Sequence, residues 1–173
     1  MKLRIMAAAL ALAAVLIWAC GESVAQTAKA TLVNTQGQKV GEATFNETPQ
    51  GVKIDLRVEN LPPGVHAFHI HEKGACAGPD FVSAGGHFNP SGKHHGLKNP
   101  QGPHAGDLPN LTVGPDGRGS ATAVNTMVTL KEGKNSLFQP GGTSLVIHEK
   151  ADDDMTDPAG NAGPRIACGP ITK

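Results

Sequence analysis

The sequence has no tyrosine, one tryptophan and only five phenylalanines, so aromatic side chains are scarce. Charge of neither sign is in excess: 15 lysines and arginines balance 15 aspartates and glutamates. With no basic run or stripe among them, nucleic acid is excluded as a partner. No segment sustains a helical period of apolar residues, which excludes a helix bundle. No apolar run reaches the roughly 20 residues that a membrane-spanning helix needs. No internal repeat or composition break divides the chain after residue 29. Its 173 residues, 39% of them hydrophobic, suit one domain with a real core.

Cysteine is also scarce, at three residues. An odd count is unusual for an exported protein, and the N-terminus reads as an export signal. Lys2 and Arg4 precede an uncharged apolar run from Ile5 to Ala19, short for a membrane span and right for a signal peptide. The run ends in "LIWAC". Cys20, following a small residue, resembles the lipobox of bacterial lipoproteins, where that cysteine is acylated and becomes the first residue. The rival reading is cleavage after "SVA", at Ala25, which discards Cys20. Residues 1–19 are therefore expected to be a signal peptide, 20–28 a small polar tether, and 29–173 the folded domain. The expected location is outside the cytoplasm, in the periplasm, with membrane attachment where Cys20 is lipidated. Setting Cys20 aside leaves Cys76 and Cys168. An oxidising compartment favours a disulfide between them over the alternative of two buried thiols.

Glycine (22) and proline (13) are plentiful and spread along the chain, which suits many short elements joined by turns. The stretch "VKIDLRVEN" alternates Val52, Ile54, Leu56 and Val58 with Lys53, Asp55, Arg57 and Glu59, the period of a strand with one wet face. Shorter runs of the same kind are "ATLVNT", "KVGEATF", "VHAFHIH", "NLTV", "SATAVNTMVTL", "TSLVIHE" and "RIACGPI". About eight strands separated by such turns predict an all-β antiparallel sandwich or barrel. Residues 74–107 and 149–164 lack alternation, and loops of that length in a compact domain are usually functional.

Most of the eight histidines gather in and beside the first loop. In "VHAFHIH" side chains alternate faces, so His69 and His71 project together, about 6.5–7 Å apart at Cα, and could converge on one ion. By the same parity His66 points away, beside Phe68 and Ile70, and reads as a core histidine bonded to backbone. The loop adds His87, His95 and His104, with Asp107 three positions later. Three imidazoles and a carboxylate can close a tetrahedral zinc shell. His94 reads as a spare, solvent-facing neighbour of His95. His148, ending an apolar strand, is by itself a plain strand-end residue. Asp153 and Asp154 read as solvated loop charge.

The blocks "GVHAFHIHEKGAC", "GGHFNPSGKHHG", "PHAGDLPNL", "LVIHEKADD" and "GNAGPRIACG" resemble, in order, those of the bacterial exported copper/zinc superoxide dismutases. The resemblance implies an eight-stranded Greek-key barrel with two long functional loops, holding one copper and one zinc per subunit. His69, His71, His87 and His148 would bind copper, and His87, His95, His104 and Asp107 zinc, with His87 shared. Asp152 would link one ligand of each metal, and Arg165 would attract superoxide, the small anionic substrate. In catalysis His87 would also carry a proton. Lys150 is the only cation in the loop after His148, so the family's steering charges have no residue-by-residue counterpart there. Monomer and homodimer both stay open. The competing expectation is a non-catalytic exported copper- and zinc-binding module on the same fold.

Overall fold

The computed structural model describes residues 26–173. The expected signal peptide, Cys20 and the cleavage point at Ala25 lie outside the described residues. The strands are β1 Thr27–Asn34, β2 Lys39–Thr48, β3 Gly51–Val58, β4 Gly64–His66, β5 Phe68–His71, β6 Leu111–Val113, β7 Gly119–Asn125, β8 Ser144–His148 and β9 Arg165–Pro170. They form one sheet of order β4-β6-β7-β3-β2-β1-β9-β8-β5, antiparallel at every pairing.

The two ends of that sheet, β4 and β5, follow one another in sequence and are separated only by Ala67. The sheet therefore curls into a nearly closed barrel, and Ala67 is the corner. Its amide donates to the Lys150 carbonyl at 2.8 Å, and its carbonyl accepts from the His148 amide at 2.9 Å. The nine segments are thus the eight expected strands, with one of them divided at Ala67.

The alternation read in β3 is real. Val52, Ile54, Leu56 and Val58 are buried in the barrel core, while Lys53 and Arg57 are exposed. Burying each such side chain stabilises the fold by about 1.5–3 kcal/mol. In β5 both faces are covered. Phe68 and Ile70 enter the barrel core with Leu145 and Ile147 of β8. His69 and His71 face the other way, paired in register with Val146 and Ser144.

Two sequence expectations are corrected. β1 starts at Thr27, so the last two residues of the expected tether belong to the barrel. The run "SATAVNTMVTL" stops being a strand at Asn125. The Asn125 side chain accepts from the Met127 amide at 2.8 Å and donates to the Ala105 carbonyl at 2.7 Å, which turns the chain off the ladder. The apolar residues beyond it, Val128 and Leu130, enter the core from irregular chain.

The long segments 72–110 and 149–164 meet one another, Asn110 on Asp152 and Lys98 on Asp154. Cys76 and Cys168 form a disulfide with a Cα–Cα distance of 5.6 Å and a sequence separation of 92. It fastens the first segment to β9, and closing a loop of that length stabilises by about 4 kcal/mol in the chain-entropy description.

Candidate metal centre

His69 and His71 leave β5 on one face, His148 ends β8 beside them, and His87 reaches in from the first long segment. An isolated backbone bridge between His71 and His87 holds that segment against β5. Each ring uses one nitrogen to hold its orientation. His69 Nε2 donates to Asp152 Oδ2 at 2.6 Å, and His71 Nδ1 to the Gly85 carbonyl at 3.0 Å. His148 Nδ1 donates to the Gly163 carbonyl at 3.1 Å, and His87 Nδ1 lies 2.9 Å from Asp107 Oδ1. The other nitrogens, His69 Nδ1, His71 Nε2, His87 Nε2 and His148 Nε2, are buried and have no partner. The four residues offer ligand atoms within 4.8 Å of one another. Four buried nitrogens without a partner facing one point, with the other ring nitrogens of His69, His71 and His148 occupied as donors, fit a metal ion and little else.

A second group shares His87. His87 Nδ1 and His95 Nδ1 approach Asp107 Oδ1 at 2.9 and 3.0 Å, and His104 Nδ1 lies 3.5 Å from it. His87 Nδ1 and His104 Nδ1 are 3.3 Å apart. That is about the edge of a tetrahedron whose bonds are roughly 2.0–2.1 Å, the zinc–nitrogen length. Asp107 Oδ2 is fixed by the Gly96 and His104 amides, each at 2.9 Å. These four residues also meet the 4.8 Å condition.

Asp152 joins the two groups. Its Oδ2 holds His69, and its Oδ1 lies 3.0 Å from His95 Nε2. Burial pushes His69 down to about 3, His71 to about 2 and His148 to about 4, and lowers His87 too, so these rings are neutral. His95 differs. Burial opposes its charge, but Asp107 and Asp152 on its two nitrogens outweigh that and raise it to about 10. Burial likewise opposes ionisation of Asp107 and Asp152, yet the surrounding histidines hold both well below the usual carboxylate range.

Arg165 opens β9 and is half-buried. Its Nη1 donates to the Phe81 carbonyl and its Nη2 to the Gly85 carbonyl, each at 2.6 Å. Gly85 thereby holds the cation and His71 through one oxygen. Burial lowers the guanidinium's pKa from its ordinary value, against which Asp80 acts.

The remaining expectations divide. His66 is a backbone-bonded interior residue, with Nδ1 2.9 Å from the His148 carbonyl and Nε2 2.8 Å from that of Pro62. His94 is exposed, but its ring meets Asp157, whose other oxygen accepts the His95 amide at 2.6 Å. Asp154 is buried and pairs with Lys98 at 2.7 Å, which corrects its reading as solvated charge. Asp153 caps its own turn, accepting from Met155, Thr156 and Asn161. Sequence reasoning did not find Asn110, Asp157 or Gly160. A Cβ at Gly160 would lie 1.8 Å from Asp152 Oδ1 and 2.8 Å from His95 Nε2.

Comparison with known proteins adds to this geometry. Residues 39–171 match the model of the family described as copper/zinc superoxide dismutase. A copper–zinc superoxide dismutase of Aquifex aeolicus is 57% identical over 83% of this chain and 85% of its own. The crystal structure of a superoxide dismutase-like protein from Bacillus subtilis superposes with a TM-score of 0.79 at 46% identity, over 82% of this chain and 96% of that one. The copper/zinc superoxide dismutase of Brucella abortus gives 0.70 at 32% identity, over 85% of this chain and all of that one (100%). With both histidine groups in place on the matching fold, the chain belongs to the copper/zinc superoxide dismutase family.

Proposed function

We propose that this protein dismutates superoxide, with copper held by His69, His71, His87 and His148 and zinc by His87, His95, His104 and Asp107. The observation that carries the assignment is the set of four unpartnered, buried imidazole nitrogens. An all-nitrogen set suits copper, and three imidazoles with one carboxylate suit zinc in a closed shell. Bound there, copper would supply the one-electron couple for this disproportionation. Two superoxide anions and two protons then become dioxygen and hydrogen peroxide.

The chain's own residues do the rest. Arg165, fixed by two carbonyls, sets a positive charge beside the four-histidine group and draws in the small anion. His87 is steadied by Asp107 at Nδ1 and presents Nε2 to the reacting site. When it is not bound to metal, that Nε2 would hold a proton, which it would give up to the nascent peroxide. Asp152 orients His69 and His95, as outer carboxylates orient metal-bound histidines elsewhere.

His148→Ala removes one copper nitrogen and no zinc contact. Dismutation is expected to fall to background while the chain still binds one equivalent of zinc. Full activity in that variant, or loss of its zinc, overturns the ligand assignment. A wild-type chain that binds both metals without turning over superoxide would be a metal-binding module instead. We further infer export to the periplasm through residues 1–19, with Cys20 acylated, on the strength of the basic start, the apolar run and "LIWAC". The mass of the mature N-terminus tests it: a lipidated Cys20 supports the inference, and a chain beginning after Ala25 overturns the acylation.

A further inference from the structure

Asp152 can orient one ring of each metal group only if its own backbone is fixed. It lies in an irregular segment that runs from Glu149 to Pro164, where the backbone bonds of its neighbours, Lys150 to Ala162 and Asp153 to Gly160, stay within the segment. The backbone of Asp152 itself is held from outside the segment by the side chain of Asn110. Asn110 Nδ2 donates to the Asp152 carbonyl at 2.9 Å, and Asn110 Oδ1 accepts from the Asp152 amide at 2.8 Å. Both backbone groups of one residue are thus taken by one amide, across 42 positions of sequence.

Asn110 is itself well anchored. It follows Asp107 by three residues and immediately precedes β6, whose Leu111 pairs with His66 of β4. The barrel wall therefore fixes Asn110, Asn110 fixes Asp152, and Asp152 fixes His69 and His95. The same side chain stands at the end of the segment that carries Asp107.

We propose that Asn110 is a positioning residue that registers the 149–164 segment on the metal centre and couples the two metal groups through Asp152. The proposal rests on the metal assignment above. A carboxamide suits the task because the site needs one donor and one acceptor on one planar group. Aspartate at this position keeps the shape, loses the donor and sets an oxygen against the Asp152 carbonyl. Serine is too short to reach both groups.

The test compares wild type, Asn110→Asp and Asn110→Ser for zinc affinity by chelator competition, and for the electron paramagnetic resonance spectrum of bound copper. In both variants zinc affinity is expected to fall by about tenfold or more, the usual effect of removing an outer partner. The copper spectrum is expected to change as well, because His69 loses its fixed orientation. Affinity and spectrum equal to wild type, with only the melting temperature lowered, overturn the proposal and leave Asn110 a structural residue. If Asn110→Ser does not fold, Asn110→Asp, nearly identical in shape, decides the matter. A wild-type chain that takes up no zinc overturns the metal assignment and this proposal together, whereas tight wild-type binding with unchanged variants overturns the proposal alone.

Discussion

His87 places Nδ1 among the Asp107 group and Nε2 among the other three histidines, so one five-membered ring spans both clusters. Arg165 is the other residue to which the proposed mechanism gives a part, and its guanidinium is held by the Phe81 and Gly85 carbonyls. Arg165→Gln is expected to slow dismutation at low salt by roughly tenfold or more and to flatten its dependence on ionic strength. The rate measured across a salt series checks this, and an unchanged slope would contradict it. At this scale the sequence was partly legible. Strand parity alone put His69 and His71 on one face and His66 on the other. It could not place His148, whose role depends on the register of β8 against β5. Nor could it find Asn110, an asparagine before a short strand whose contact lies 42 residues away.

Among the elements, the strands β5, β8 and β9 carry His69, His71, His148 and Arg165, and the two long segments add His87, His95, His104, Asp107 and Asp152. Gly160 shows how tightly they pack. Its φ is 61°, and a Cβ there would overlap Asp152 Oδ1. Gly160→Ala is expected to destabilise the metal-free chain by at least the 1–2 kcal/mol, roughly, that a left-handed residue costs, and to weaken zinc binding in step. Thermal melting and zinc competition check the pair, and a variant with normal zinc affinity would show that Asp152 can move aside freely. Strand content was legible because alternation survives wherever one face is wet, as in β3. It failed where a loop buries alternate residues without pairing, as at Val128 and Leu130, and where a barrel corner at Ala67 interrupts a run that reads as continuous. Asp154 misled for a similar reason. Asp153 and Asp154 read as solvated, and only the fold shows Lys98 reaching Asp154.

For the whole molecule, the disulfide and the buried histidines set how stability, built on the apolar core, responds to reduction and to pH. Replacing Cys76 and Cys168 by serine is expected to lower the stability of the metal-free protein by about 4 kcal/mol, measured by denaturant unfolding. The pH dependence follows from the rings. His69, His71 and His148 have folded values of about 3, 2 and 4, below the unfolded value of roughly 6.5. Their contribution is complete above about pH 6.5 and is lost as pH falls toward those values, each on the order of 1 kcal/mol per pH unit. His95, raised to about 10, has the opposite sign, so its contribution is complete below about pH 6.5 and lost as pH rises toward 10. The melting temperature of the metal-free protein is therefore expected to fall steeply from pH 6.5 to 5 and more gently above neutrality. A flat profile over pH 5–7 would contradict this account of the buried rings.

The most direct test of the central claim is a crystal structure of the oxidised protein loaded with both metals, using anomalous scattering at the copper and zinc edges. The account predicts one copper peak bonded to His69 Nδ1, His71 Nε2, His148 Nε2 and His87 Nε2. It predicts one zinc peak bonded to Asp107 and to Nδ1 of His87, His95 and His104. A His87 ring bonded to only one of the two ions, or a peak among His69, His95 and Asp152, would contradict it.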